Sequence, residues 1–173
     1  MALSPEEYIS IEQSAFFSRQ AWRAWAATLA VTLIWLLLII LPAVAKSHGH
    51  NEIADPLYKF FSYICHQIDS RSFHYGDAQF GVCSRCFGVY FGLVTGTVIY
   101  PVWRSVADVG APPRIWLFLS LIPITIDWSL TAFGIWENTQ ASRFITGLIL
   151  GAACATFIIP AVVEIRRNLT RRN

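Results

Sequence analysis

The chain has 173 residues, of which 55% are hydrophobic and 14% charged, with a formal net charge of +2. Its mean hydropathy is +0.48. These values fit one domain, exclude an ordinary soluble domain, and predict an all-α, integral membrane four-helix bundle. The small net charge, with no basic run interleaved with aromatics outside the tail, predicts no nucleic-acid partner. Four unevenly spaced cysteines are too few for a disulfide scaffold.

Residues 1–24 read as an arm. Ser4-Pro5-Glu6-Glu7 is a helix start, with Ser4 as N-cap, Pro5 at the first helical position and Glu7 closing a capping box. Tyr8, Ile11 and Ala15 give a loosely apolar face, so an N-terminal interfacial helix on the bilayer surface is expected. Residues 25–45 are twenty-one uncharged residues, long enough to span. Ala43-Val44-Ala45 mimics a cleavage site, but the run is too long for a signal core and follows an acidic arm. An uncleaved first span is the expectation.

An extramembrane loop covers residues 46–85. Within it residues 54–64 predict a short helix, with Asp55 as N-cap, Pro56 at the first position, and aromatics at the headgroup boundary. The further spans are expected at about 86–103, 115–136 and 144–163, followed by a basic tail over 166–173. Gly88, Gly92 and Gly96 form a small-residue stripe on the second span. Gly147, Gly151 and Ala155 match it on the fourth, so these two helices are expected to pack closely.

Orientation follows from the cations. With the N-terminus inside, the cytosolic segments hold eight: Arg19, Arg23, Arg104, Arg114 and the tail residues Arg166, Arg167, Arg171 and Arg172. The outer segments hold five: Lys46, Lys59, Arg71, Arg85 and Arg143. The bias predicts both termini in the cytosol and the loop outside.

That loop carries the chemistry. The stretch Cys65–Cys86 holds three of the four cysteines and two of the four histidines. Thiolate and imidazole are the preferred ligands of zinc and related ions. Cys83-x-x-Cys86 at a turn entering a helix is a two-ligand hook, and the helix N-terminus stabilises thiolates. Cys65, His66 and, with less weight, His74 are candidates for the remaining ligands. A redox-active or structural disulfide and plain buried thiols are alternative readings. Phe87 follows Cys86, which argues against covalent c-type haem.

Charge converges on the same face. Arg71 and Arg85 flank the cysteines, and Glu137 and Arg143 stand at the mouth of the third and fourth spans. Asp127 interrupts the third span nine residues before its expected end, roughly 13 Å deep at the helical rise. An intramembrane carboxylate is costly and faces a partner or a cavity. One reading is a structural ion pair with Arg85 or Arg143; the other is a polar chamber under the Cys/His cap, with an acid acting as base or binding a head group. Gln67, Ser72, Asn138, Thr139, Gln140 and Thr146 stand nearby, for ligand hydrogen bonds or for helix caps. His48-Gly49-His50 reads as a solvated pair and Cys154 as helix packing.

The pattern Cys65-His66-Gln67, Arg71-Ser72-Phe73, Gly76, then Val82-Cys83-Ser84-Arg85-Cys86-Phe87-Gly88-Val89-Tyr90 and Gly92 resembles a prokaryotic membrane family, domain of unknown function 2085. Asp127, Glu137-Asn138-Thr139, Arg143 and Thr146-Gly147 extend the resemblance. The family pattern has a glycine after the aspartate and a glutamine a few residues on. Trp128 and Thr131 stand here instead, so no role carries over to those two positions. The resemblance implies a small polytopic protein of the prokaryotic cytoplasmic membrane with clustered polar residues, and it brings no activity. A second, architectural resemblance is to the quinone-coupled disulfide-generating membrane oxidoreductases, with Cys83, Cys86 and Arg85 cast in the redox role. That chemistry needs a second outward cysteine pair, and only Cys65 is left outside.

The leading expectation is an outward metal site, zinc or else iron, formed by Cys65, His66, Cys83 and Cys86 over a chamber lined by Arg71, Arg85, Asp127, Glu137 and Arg143. In one variant the metal is structural and clamps the loop over the chamber, which binds or transports a small polar or lipid-linked ligand; four protein ligands favour this variant, since catalysis needs an open position. In the catalytic variant a metal-activated water attacks the substrate, with Asp127 or Glu137 as base. The alternatives are the thiol oxidoreductase and a non-catalytic subunit of a homo-oligomer or membrane complex.

Overall fold

A computed structural model describes the backbone of residues 5–172 and the side chains of residues 14–170. The expected cap at Ser4, and the side chains of Glu7, Tyr8, Ile11, Arg171 and Arg172, lie outside the described residues. The chain order is α1 (Pro5–Ser47), α2 (Asn51–Ser62), a 3-10 turn (Asp69–Arg71), β1 (Ser72–Tyr75), β2 (Ala78–Cys83), α3 (Ser84–Trp103), α4 (Ile115–Ala132) and α5 (Gln140–Arg172). Four of the helices are long and apolar enough to cross a membrane, so the fold is an all-α membrane bundle. The arm and the first span are joined without a break in α1.

The most extensive helix pair is α3 with α5. It forms because the two stripes of small residues face each other. A Cβ on Gly88 would fall on the Phe144 carbonyl, one on Gly92 on that of Leu148, and one on Gly151 on that of Val89. Without side chains at these points the two backbones touch, which is how helices associate where the apolar solvent offers no hydrophobic drive. The helices run parallel, so their N-terminal turns lie side by side.

At the opposite end, Ala21 and Ala24 of α1 pack with Tyr100, Ala155, Ile159 and Val163. Trp25 Nε1 donates to the Thr97 carbonyl at 2.8 Å, and Arg166 Nε donates to Gln20 at 2.8 Å. Residues 166–172, expected as a tail, continue α5 as helix.

Three boundaries differ from the sequence expectation. The short loop helix starts at Asn51, with His50 at the cap, so Pro56 lies inside it rather than at its start. The third span stops at Ala132 because Gly134 takes φ +68°. Gly134 N–H then bonds the Thr131 carbonyl at 3.1 Å and Ile135 N–H that of Leu130 at 3.0 Å, the paired closure that ends a helix at a glycine. Asp127 is therefore five residues from the helix end, about 8 Å at the helical rise. Finally, α5 begins at Gln140 instead of 144: Thr139 Oγ1 accepts the Ser142 N–H at 3.1 Å, a side-chain N-cap. This moves Arg143 from a turn into the first turn of a helix.

The loop also folds beyond expectation. Residues 72–83 form an antiparallel hairpin, with Tyr75 opposite Ala78 across Gly76-Asp77, and Ser72 opposite Cys83. Phe73 and Phe80 of the hairpin join Phe87 and Phe144 in edge-to-face contacts with centroids 5.2–6.2 Å apart. This aromatic cluster fastens the hairpin onto α3 and α5. Gln140 Nε2 adds a bond to the Ser72 carbonyl at 3.1 Å.

Candidate metal centre and adjoining cavity

Three chain segments end at one point and bring the thiols together. Cys65 stands just past α2, where its N–H bonds the Phe61 carbonyl at 2.9 Å. Cys83 ends β2 and forms the extended N-cap of α3, and Cys86 follows in the first turn. Their sulfur atoms all lie within 4.8 Å of one another, the one such group of potential ligands among the described residues. All four cysteines are free thiols; Cys65 is buried, and Cys83 and Cys86 are half-buried. Phe61, Ile39 and Val82 pack around them on the bundle side.

The backbone serves the Cys65 sulfur. The Cys83 N–H donates to it, and the thiols of Cys83 and Cys86 and the N–H of Gln67 are turned toward it as further polar neighbours. Against the cost of burial, these groups hold the Cys65 thiol well below the ordinary thiol range. The Cys83 N–H lies 3.2 Å from the sulfur. Gln67 adopts φ +48°, a left-handed conformation costing about 1–2 kcal/mol for a residue with a Cβ. Its side chain anchors that turn: Nε2 donates to the carbonyls of Tyr58 at 2.9 Å and Gly81 at 2.8 Å. Gln67 is thus a structural tie between α2 and β2. Gln67→Ala removes the donor of both carbonyls, and a loss of about 1–3 kcal/mol is expected. A lowered melting temperature in detergent checks it; an unchanged one would show that the turn holds itself.

Beside the thiols lies a cavity of about 390 Å³. Cys65, Cys83 and Cys86 line it together with Arg71, Arg85 and Arg143. Arg85 is ion-paired with Asp127, whose Oδ2 also accepts a bond from Asn138 Nδ2 at 3.0 Å. Thr131 steadies this corner: its hydroxyl accepts the Asn138 N–H at 3.3 Å and donates to the Asp127 carbonyl at 3.2 Å. Arg71 and Arg143 make no ion pair among the described residues.

The sequence-derived residues divide accordingly. Cys65, Cys83, Cys86, Arg71, Arg85 and Arg143 come together around the cavity. His66 is exposed and borders the cavity, outside the thiol group. His74 is paired with Asp69 at 3.0 Å and lies outside both, because across the bulge after Ser72 it stands opposite Gln79, four residues before Cys83. Asp127 stands behind the wall, holding Arg85 and Asn138 that form it. Glu137 is exposed and borders an adjoining cavity of about 290 Å³ that shares Arg71, Asn138 and Arg143. Ile64, Ile68 and Trp128, which no polar motif singles out, also line the main cavity. Ile64 and Ile68 showed only as apolar residues at the start of the polar stretch, and Trp128 only as the neighbour of Asp127.

Fold and site together define a polytopic membrane protein with a three-cysteine cluster at one end of its bundle. The chain belongs to the family described as "Predicted membrane protein (DUF2085)", whose model matches residues 65–157. It is 38% identical over 108 residues to an uncharacterized protein of Methanocaldococcus jannaschii, covering 62% of this chain and 69% of that one. A second uncharacterized protein, from Methanothermobacter thermautotrophicus, is 36% identical over 98 residues, or 55% of this chain and 84% of the relative. No solved structure matches the chain. The matched region opens at Cys65, so it contains the whole thiol cluster and the three arginines.

Proposed function

We propose that Cys65, Cys83 and Cys86 hold a zinc ion as thiolates, with the fourth position facing the cavity, where a small polar or lipid-linked ligand binds. The carrying observation is the mutual approach of three sulfurs within 4.8 Å. Thiolates around one zinc at about 2.3 Å each stand about 3.8 Å apart, so small side-chain rotations complete the set. Backbone N–H groups already directed at the Cys65 sulfur are the outer support that metal-bound thiolates require. Iron is the other ion that such a ligand set favours.

Three protein ligands with a fourth side turned to a cavity is the arrangement of a site that works on a ligand, in contrast to a closed structural site. His66 borders the same cavity and is the protein's own candidate for that fourth position. The carboxylates support binding over base-assisted attack: Asp127 is held by Arg85 and Asn138 off the cavity wall, and Glu137 belongs to the neighbouring cavity. The cation bias of the loops supports a cytoplasmic-membrane orientation with the thiols outside and both termini in the cytosol.

Metal analysis by mass spectrometry, with thiol titration on the same detergent-purified protein, tests the proposal. About one zinc per chain is expected, lost in Cys65→Ser, Cys83→Ser and Cys86→Ser. Metal-free protein in which two thiols become titratable only after reduction would overturn it and favour the quinone-linked oxidoreductase.

A further inference from the structure

We infer that the cavity beside the thiols is an anion site for a phosphate-type oxyanion, carried on a lipid headgroup or free in solution. The inference rests on the reading of this cavity as the ligand site, and it names the class of ligand.

Charge carries it first. Arg71, Arg85 and Arg143 line one cavity, and the charges of Arg71, Arg85 and Asp127 all reach Arg143. Asp127 is ion-paired with Arg85, and at Arg143 it acts with Cys83 against the two arginines. Three thiolates about a divalent ion carry one negative charge, so the three lining arginines with Asp127 still leave the cavity's own residues positive. Glu137 borders only the neighbouring cavity; it and Arg71 are both exposed there, so water and salt screen both charges.

The helix ends add to the same field. Arg85 lies in the first turn of α3 and Arg143 in the first turn of α5. Those turns are adjacent, since Gly147 of α5 abuts the Arg85 carbonyl and Gly88 of α3 abuts that of Phe144. A helix N-terminus is positive and favours an acidic side chain in its first turn. Here two parallel N-termini each carry an arginine, and neither has an acidic residue in its first turn. That concentration of like charge is unfavourable in the empty site and is relieved when an oxyanion enters.

Donor chemistry narrows the class. The guanidinium fork matches the oxygen spacing of phosphate and engages it in two parallel bonds. One nitrogen of Arg85 is taken by Asp127, while its Nε is buried without a protein partner among the described residues. Arg71 and Arg143 have their forks free of carboxylates. The flank of the cavity is apolar: Ile64, Ile68 and Trp128 line it while remaining exposed on the outside of the bundle. A phosphate attached to an apolar chain would meet both surfaces at once.

The test is equilibrium binding of radiolabelled inorganic phosphate to the protein in an uncharged detergent, with zinc measured on the same samples. Saturable binding is expected, and Arg143→Gln and Arg71→Gln are each expected to weaken it about tenfold, the loss of one charge-assisted pair. Arg143→Lys keeps the charge without the fork and is expected to fall between. Competition by dihexanoyl phosphatidic acid separates the sources. At least about tenfold stronger competition than unlabelled phosphate supports the headgroup, and equal or weaker competition supports free phosphate, tenfold being a 1.4 kcal/mol preference. Two results overturn the inference: no saturable binding of either probe to the wild type, or unchanged binding in the Arg71→Gln/Arg143→Gln double variant. Zinc without anion binding sinks this inference and leaves the metal reading intact. Anion binding without zinc does the reverse.

Discussion

Gly151→Val is expected to be among the most damaging single substitutions in this chain, with a loss at the top of the range for overpacking, about 3 kcal/mol. The argument is steric. A Cβ at Gly151 would meet the carbonyl of Val89 and the Cα of Gly92, and backbone atoms of a packed helix have no rotamer to turn away. The helices must separate, and separation costs the contacts at Gly88, Gly92 and Gly147 together. Gly151→Ala is expected to fail by the same mechanism in milder form. Ile158→Val, on the exposed face of the same helix, is the control and is expected to change little. Thermal melting in detergent decides it: a Gly151→Val protein that melts with the wild type would mean that α3 and α5 are not in backbone contact.

The second large effect is expected at Asp127. Its side chain is 11% exposed and that of its ion-pair partner Arg85 is 22% exposed. Asp127→Ala leaves a largely buried guanidinium without its counter-charge and frees the amide of Asn138, at a cost of about 3–5 kcal/mol. The loss comes from the uncompensated charge, so the double change Asp127→Ala/Arg85→Met is expected to recover much of it. Melting curves of the two singles and the double close the cycle. Additive losses, with no recovery in the double, would show that the pair is not what ties α4 to the start of α3.

The spans were legible because their signal is long and uniform. Runs without charge over 25–45 and 86–103 fall inside α1 and α3, and spaced glycines at 88, 92, 96, 147 and 151 foretold the helix pair that forms. Helix ends were less legible. Apolar Ile135 and Trp136 prolong the hydropathy of the third span past Gly134, and only the backbone angle at that glycine reveals the stop. At the start of α5 a polar stretch suggested a turn, whereas Thr139 was acting as its cap. The hairpin carried a signal that charge and cysteine counting obscured: Phe73 and Tyr75, then Ala78, Phe80 and Val82, alternate across Gly76-Asp77. At the site, residue types sufficed to nominate Cys65, Cys83 and Cys86 and the three arginines. They did not separate a carboxylate that lines a cavity from one that braces its wall, because Asp127 and Asn138 meet only through the closure of α4 and the turn after it.

The order of the helices bears on how the protein is made. The closest partners, α3 and α5, point the same way, with α4 between them in the chain. A nascent chain that has not reached Gln140 can hold three membrane helices and still lack its tightest interface. Until α5 is made, the glycine face of α3 lacks the partner it has in the folded bundle. The arginine that α5 contributes to the cavity, Arg143, arrives in the first turn of that same helix, so the cavity is completed only when the bundle is.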